Sequence, residues 1–428
     1  MRVVDLRDGS WQESEALIYL QKRAQLQFDA YEGIVKEIIN LVSQRGDEAL
    51  YELSLKYDGV DLKKLGIEVP KEELKRAYEE LPSEVKSALE LAAKRVRAFH
   101  ELELERGFFH QDGGVLCGLK VLPLEKVGVY IPGGKNPYPS SVIMNVLPAR
   151  VAGVKEIVLC CPKVHKSVLA AAYIVGVDRV FRIGGAQAIS AMAFGTKSVP
   201  KVDKIVGPGN VFVSLAKRLL FGFVDIDMVA GPSEILIIAD ESANALWCAW
   251  DLLSQAEHDV FSASILITPS EDFAKEVIGH VSSLYKQLPR HEVLEKSIEN
   301  WCYAFIVKDL MHACEVANFI APEHLQIATE RPLEVFENIK SAGAVFLGHY
   351  SAETLGDYLL GPSHTLPTGG SARFFSALGV YDFLKRITFM QVSQTGFKAL
   401  CEPAMVLANL EGLEAHRMAI EVRCKVWQ

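Results

Sequence analysis

Apolar side chains in the first hundred residues recur three and four positions apart, which is the spacing of a helix that buries one face. One stripe consists of Ile34, Val35, Ile38, Ile39 and Val42. A second stripe consists of Val85, Leu89, Ala92, Val96 and Phe99. Gly46 offers a stop for the first helix, and Ser83 is placed to cap the start of the second. We therefore predict that residues 1–120 form a helical N-terminal region.

From about residue 126 the pattern changes to short β-rich runs separated by helix-like segments. The runs fall in two series, 127–131, 156–160 and 179–183, followed by 235–238, 264–267, 304–307 and 344–347. Such alternation is typical of parallel sheets built from βαβ units. The sequence thus predicts an α/β fold with two Rossmann-like domains, 121–231 and 232–384. We expect residues 1–120 to pack with 232–384, and a small C-terminal segment to occupy 385–428.

The composition narrows the class of protein. Half of the 428 residues are hydrophobic, and 45 basic against 54 acidic side chains give a net charge of −9. No basic cluster could neutralise phosphates, so we expect no nucleic-acid partner. No apolar run approaches the ~20 residues of a membrane span, and the first residues lack a signal peptide's apolar stretch. The eight cysteines form no C-x-x-C pair. This favours reduced thiols and a cytoplasmic protein with no membrane partner.

Three glycine-rich turns follow strands of the first series, at 132–134, 184–187 and 207–210. Glycine after a strand lets the backbone approach a ligand phosphate, and the N-terminus of a following helix favours anions. None of the turns has the G-x-G-x-x-G pattern of dinucleotide-binding folds. Each turn alone is more typical of ordinary chain reversal. Three at the carboxyl ends of one sheet's strands indicate a nucleotide or phosphate ligand.

Polar residues with catalytic potential are concentrated in the second half of the chain. They are Gln255, His258, Glu323, His324, Asp357, His364, Glu414 and His416. Gln255 and His258 are three apart on a predicted helix and would share one face. Imidazole, carboxylate and carboxamide donors together suit a divalent ion of zinc's type, and a Glu beside a His supplies two general bases. Spacing alone leaves open whether these segments meet. The remaining seven histidines are expected to be structural.

At these residues the sequence resembles histidinol dehydrogenases. The resemblance lies in the stretch 226–234 and its continuation to 254–258, and extends over nearly the whole chain. Further motifs in the family's order are 130–134, 138–141, 184–187, 207–210, 321–325, 366–370 and 411–416.

The resemblance implies two incomplete Rossmann-like domains and a small C-terminal segment that interlocks a homodimer with shared active sites. It also implies oxidation of L-histidinol to L-histidine through a bound aldehyde, with two NAD reduced, as the final step of histidine biosynthesis. One zinc per subunit is expected.

Site residues are carried over from the family by motif. Zinc ligands would be Gln255, His258, Asp357 and His416, the last from the partner subunit. Catalytic bases would be Glu323 and His324. Substrate contacts would be Ser233, His364 and Glu414, together with Gln255, His258, His324, Asp357 and His416. NAD contacts would be Tyr130, Gln187 and Asn210.

A few positions depart from the family's pattern. Cys248 and Trp250 stand where small aliphatic residues are usual, Ser363 replaces an Asn before the substrate histidine, and 391–395 diverges. Ser363 leaves open a relative that oxidises another polar alcohol, such as a sulfonated diol. A zinc hydrolase that uses Glu323 on a metal-bound water is a rival of another class. A non-catalytic metal-binding role would give Glu323 and His324 no purpose.

Overall fold

The computed structural model describes residues 1–23, 25–133 and 136–425. Its strands are β1 (Arg2–Asp5), β2 (Glu68–Val69), β3 (Phe108–Asp112), β4 (Val115–Pro123), β5 (Lys126–Tyr130), β6 (Glu156–Cys160), β7 (Arg179–Phe181), β8 (Lys204–Val206), β9 (Asp225–Ile226), β10 (Glu234–Ala239), β11 (Ala263–Thr268), β12 (Cys302–Ile306), β13 (His324–Ala328), β14 (Ala344–Leu347) and β15 (Leu384–Val392).

Its helices are α1 (Glu15–Lys22), α2 (Gln25–Arg45), α3 (Asp47–Leu53), α4 (Leu62–Leu65), α5 (Lys71–Glu79), α6 (Ser83–His100), α7 (Pro139–Ala152), α8 (Lys166–Val175), α9 (Gly185–Phe194), α10 (Val211–Leu220), α11 (Ala245–Ala256), α12 (Glu271–Leu284), α13 (His291–Trp301), α14 (Leu310–Ile320), α15 (Pro332–Phe336), α16 (Glu353–Tyr358), α17 (Gln394–Leu410) and α18 (Glu414–Lys425). Within the described part of the chain, no helix is long and apolar enough to cross a membrane.

Two six-stranded sheets form the core of one compact unit, which comprises residues 1–103 and 124–383. The first sheet has the order β2-β7-β6-β5-β8-β9, and only the β2–β7 pairing in it is antiparallel. The second sheet has the order β1-β12-β11-β10-β13-β14, and its pairings are parallel. Their central strands are buried along their length, as expected for strands covered on both faces by helices. The predicted α/β class with two Rossmann-like sheets is confirmed, and the seven predicted strands are found within two residues of their predicted ends.

The N-terminal region is divided between the two sheets. β1 joins the edge of the second sheet, and Leu17 and Leu20 of α1 are buried beside that sheet. Val35, Ile38 and Val42 of α2 are instead buried against helices α9 and α10 of the first sheet. Helices α5 and α6 pack on α8 and α7. The expected packing with 232–384 is therefore seen for β1 and α1, and again at the end of the region, where Arg95 of α6 donates to the carbonyl of Leu359 and Glu103 accepts from the N–H of Val380. Helix α2 does not take part in it, because its apolar stripe fits the helices that cover the first sheet.

Local details also differ from the sequence-based expectation. Ser83 is the first residue of α6, and Pro82 precedes it at the N-cap position without a side-chain hydrogen bond. Gly46 ends α2 as predicted, with a φ of +53° that glycine adopts without strain. Ile34 and Phe99, at the margins of the two stripes, are exposed.

A second compact unit comprises residues 104–123 and 384–425 of the described chain. It contains a three-stranded antiparallel sheet, β15-β4-β3, and the packed pair α17 and α18. Its later part begins within one residue of the predicted boundary at 385. Residues 108–112 and 115–120, which we assigned to a helical region, form β3 and most of β4 instead, because β4 pairs with β3 and, along its whole length, with β15.

Candidate active site

Glu323 and His324 lie at the amino-terminal edge of the second sheet. Helix α14 ends at Ile320, and Ala321 takes a left-handed φ of +53° that turns the chain into β13. His324 is the first residue of β13, beside Glu234, the first residue of β10. Positive φ is uncommon for a residue with a side chain, so the turn is held by its surroundings. The predicted position of the pair at an element boundary is confirmed.

The backbone of Glu234 contacts both candidate bases. Its N–H donates to Glu323 Oε2 at 2.9 Å, and its carbonyl oxygen lies 3.1 Å from His324 Nδ1. A carbonyl can only accept, so Nδ1 carries the proton and Nε2 keeps its lone pair. His324 Nε2 lies 3.4 Å from Glu353 Oε1. The histidine is thus held as a neutral tautomer whose basic nitrogen faces a carboxyl group.

Burial strongly changes the proton affinities at this edge. Burial lowers the pKa of His324 to about 4, so the imidazole is neutral at pH 7. Burial and the neighbouring carboxylates raise the pKa of Glu323 well above its ordinary value. Burial, then Asp357 and Asp251, raises the pKa of Glu353 to about 8. A cluster of groups whose pKa values are shifted in opposite directions is typical of acid–base sites.

Several donors here could hold a cation. Ligand atoms of His324, Glu353 and Asp357 lie within 4.8 Å of one another. Gln255 is 1% exposed, and its Oε1 has no hydrogen-bond partner among the described residues. Such a buried orphan acceptor is costly unless something binds it. His258 lies near enough for its charge to lower the pKa values of His324 and His364. These donors fit a divalent cation.

The predicted geometry of Gln255 and His258 needs correction. Helix α11 ends at Ala256, so His258 lies beyond it and does not share a helical face with Gln255. His258 is exposed, and its N–H donates to the carbonyl of Gln255 at 3.2 Å. Residues 257 and 258 form a turn that leads towards β11, so the helix does not reach His258. Gln255 nevertheless points into the protein while His258 remains accessible.

His364 is held between two segments. Its Nδ1 lies 3.0 Å from the carbonyl oxygen of Asp357, and its Nε2 lies 3.0 Å from Ser141 Oγ. Burial lowers its pKa. The neighbouring Ser363 is buried, and its Oγ accepts from the N–H of Thr365 at 3.1 Å. An Asn side chain can accept the same hydrogen bond from the N–H two residues later. Ser363, which replaces the family's usual Asn, therefore preserves the backbone around His364.

The three predicted NAD residues lie where the first sheet's strands end. Tyr130 ends β5, and its hydroxyl accepts from the N–H of Gly185 at 3.1 Å. Gln187 donates to Asp58 Oδ2 at 3.0 Å, and Asn210 caps α10. A cavity of about 330 Å³ opens beside Pro132, Gly133, Cys161, Lys163 and His165. Gly134, the last residue of the first predicted glycine turn, lies outside the described residues.

Ser233, Glu414 and His416 are the remaining predicted site residues. Ser233 precedes β10, and its carbonyl accepts from the N–H of Ala263 at 3.0 Å. Glu414 and His416 lie on α18 of the second unit and are exposed. Glu414 pairs with Arg417 at 2.6 Å, which lowers the pKa of the carboxyl.

Sequence reasoning missed four buried charged residues, Arg23, Glu234, Asp251 and Glu353. Glu353 could have been found, because it stands four residues before Asp357 and thus on the same face of a helix. Asp251 stands four before Gln255 and accepts from Gln326 at 2.9 Å. No local signal marks Arg23, whose partner Glu234 is 211 positions away.

Comparison with known proteins gives a consistent result. The sequence model of the family described as Histidinol dehydrogenase matches residues 21–424. A histidinol dehydrogenase of Aquifex aeolicus (strain VF5) is 57% identical over 423 residues, covering 99% of each chain. One of Neisseria meningitidis serogroup A is 48% identical, covering 92% of this chain and 93% of the relative. The crystal structure of a histidinol dehydrogenase from Elizabethkingia anophelis superposes with a TM-score of 0.90 at 34% identity, over 100% and 98% of the two chains. The chain therefore belongs to the histidinol dehydrogenase family.

Proposed function

We propose that this chain oxidises L-histidinol to L-histidine in two NAD-dependent steps through a bound aldehyde, the final step of histidine biosynthesis. The observation that carries the proposal is that the backbone of Glu234 binds both Glu323 and His324, in a chain that is similar to histidinol dehydrogenases along its whole length. These relatives lend no support to the sulfonated-diol alternative.

His324 is the base for the alcohol. When the substrate's carbon loses a hydride, its hydroxyl must lose a proton, and a neutral imidazole nitrogen can accept that proton. Nε2 of His324 is that nitrogen, since Nδ1 is occupied by the Glu234 carbonyl. Protonation creates a cation 3.4 Å from Glu353 Oε1. An adjacent cation favours ionisation of this carboxyl group, and the carboxylate then stabilises the imidazolium.

Glu323 is the base for the second step. The aldehyde must add water to become a diol, whose carbon then loses the second hydride and leaves the carboxylate of histidine. A carboxylate of raised pKa is a stronger base than an ordinary glutamate and can take a proton from that water. NAD, when bound, supplies the hydride acceptor in both steps.

We assign one zinc per subunit to Gln255, His258, Asp357 and His416 of the partner subunit. Gln255 supports the assignment, because its buried oxygen otherwise has no partner among the described residues. Zinc would supply a fixed charge that orients the substrate's amine and imidazole. Ser233, His364 and Glu414 would complete the substrate contacts, and Tyr130, Gln187 and Asn210 would contact NAD.

A shared site requires a homodimer. The second unit exposes large apolar side chains, including Val406, Leu407 and Leu410 on α17, which are 60%, 59% and 82% exposed. Exposed patches of this kind mark interaction surfaces, so we assign this segment to the dimer interface. The eight free cysteines fit a cytoplasmic location.

The test is a steady-state assay of the zinc-loaded enzyme with L-histidinol and NAD. We expect two NADH for each histidine formed. Absence of NADH formation, with zinc and NAD binding demonstrated separately, would exclude the proposal. Turnover of an amide or ester without NAD would instead support the hydrolase alternative.

A further inference from the structure

A buried ion pair lies directly behind the candidate bases. Arg23 follows the last residue of α1 and is 1% exposed, and Glu234 is 5% exposed. Arg23 Nη2 lies 2.6 Å from Glu234 Oε2 and also donates to the carbonyl of Pro232 at 2.8 Å. Trp301 covers the guanidinium, with its ring centre 5.9 Å away. One guanidinium nitrogen thus contacts both the side chain of Glu234 and the carbonyl oxygen of Pro232.

Glu234 joins four segments of the chain. Its Oε2 binds Arg23 from α1, and its Oε1 accepts from the N–H of Gly369 at 2.9 Å. Its own N–H and carbonyl bind Glu323 and His324. The side chain therefore fixes the position of the one residue whose backbone both bases use.

Stability alone does not account for this pair. Removing two charges from water is costly, and a buried ion pair is often replaced by apolar residues of similar size without loss of stability. The pair is also imperfect, because Arg23 Nε and Nη1 have no partner among the described residues. Its retained contacts are those that restrain Pro232 and Glu234.

We propose that Arg23 and Glu234 are positioning residues for the reaction: their ion pair fixes the backbone of Glu234, whose N–H orients the Glu323 carboxylate and whose carbonyl selects the Nδ1–H tautomer of His324. This inference rests on the proposed roles of Glu323 and His324. Because the backbone of one residue holds both bases, its displacement impairs oxidation of the alcohol and of the aldehyde together. Loss of an outer contact to site residues typically costs ~10- to 100-fold in activity.

Three variants separate positioning from stability. Arg23→Met and Glu234→Gln each leave one buried group without its partner, and both are expected to lower Tm. The double variant Arg23→Met/Glu234→Gln removes both charges at nearly constant volume, so most of the lost Tm should return. Arg179→Met is the matched control, since Arg179 pairs with Glu68 at 2.7 Å on the far edge of the first sheet.

The measurements are Tm, zinc content, the Kd of NAD, and kcat and KM for histidinol and for the aldehyde. We expect kcat of the double variant to be ~10- to 100-fold lower for both substrates, with KM, NAD affinity and zinc content close to wild type. Arg179→Met should keep the wild-type kcat. A folded double variant with wild-type kcat would overturn the positioning role, as would a kcat loss that merely follows Tm. A wild-type enzyme inactive on histidinol would refute the proposed function instead.

Discussion

Replacing Glu353 with Gln should stabilise the metal-free protein at neutral pH. Glu353 is 2% exposed, and its pKa is raised from 4.5 to about 8. Between these two pKa values the folded state binds a proton that the unfolded state has released, so stability falls as the pH rises. At pH 7 the interval is 7 − 4.5 = 2.5 pH units, which at about 1.4 kcal/mol per unit amounts to about 3 kcal/mol.

Glutamine removes this penalty because it has the same shape and no acidic proton. Its neutral amide adds no negative charge beside Asp357 and Asp251, whose carboxylates oppose ionisation of Glu353. We expect Glu353→Gln to raise the free energy of unfolding by about 3 kcal/mol at pH 7 and to leave it nearly unchanged at pH 4.5. The assay is urea unfolding in EDTA across this pH range. Glu334→Gln serves as control, since that side chain is 67% exposed.

Two results would refute this reasoning. A variant no more stable than the wild type at pH 7 would show that burial does not penalise ionised Glu353. A difference in the free energy of unfolding that stays constant with pH would show that the substitution acts through packing and not through the proton on Glu353. Zinc content gives an independent measurement, which we expect to remain at one per subunit. Loss of zinc would indicate that His324, Glu353 and Asp357 are the ligands and would remove His324 from its role as base.

Three further predictions test the site. Glu323→Gln should slow oxidation of the aldehyde, by ~10²- to 10⁴-fold, more than oxidation of the alcohol; equal loss in stopped-flow NADH traces would contradict a water-activating role. Mixing inactive His416→Ala and His324→Ala chains should restore NADH formation through hybrid dimers, and no recovery despite demonstrated subunit exchange would argue against a shared site. Gly207→Ala should weaken NAD binding in titration, because its Cβ would lie 2.2 Å from a neighbouring carbonyl oxygen. Gly222 has a similarly positive φ, but a Cβ at that position would meet no atom within 4 Å. We therefore expect Gly222→Ala to lower Tm without weakening NAD binding. Weaker NAD binding by both variants would show that the effect comes from backbone strain.

Sequence periodicity predicted seven of the twelve strands in the two six-stranded sheets, and it did not predict which helices cover each sheet. The strands are short apolar runs whose burial is a local property, and β6 and β14 lie where they were predicted. The apolar stripe of α2 shows that the helix buries one face, but not which sheet it covers. The prediction for residues 104–120 failed for a similar reason: β4 forms a hairpin with β3 and also pairs along its whole length with β15, whose first residue is 261 positions after the Pro123 that it pairs with.

The candidate site likewise has a part that local sequence predicts and a part that depends on distant segments of the chain. Glu323 and His324 could be placed from the end of one helix and the start of one strand, both of which are local features. The contribution of Arg23 could not, because it depends on α1 reaching β10 across the second sheet. Trp250 stands where the family usually has a small aliphatic residue, and its larger side chain is accommodated because it is 42% exposed.

Helix α7 links the loop after Tyr130, which we propose contacts NAD, to the segment of His364, which we propose contacts the substrate. It follows the loop after Tyr130, and Ser141 in its first turn contacts His364. Asn145, one turn later, accepts from Thr365 Oγ1 at 3.1 Å and is fully buried. Hydride transfer requires the reacting carbons to approach within about 3.5 Å. Under the proposed roles, a single buried helix that follows the Tyr130 loop and contacts His364 and Thr365 would fix this separation more closely than two independent loops could.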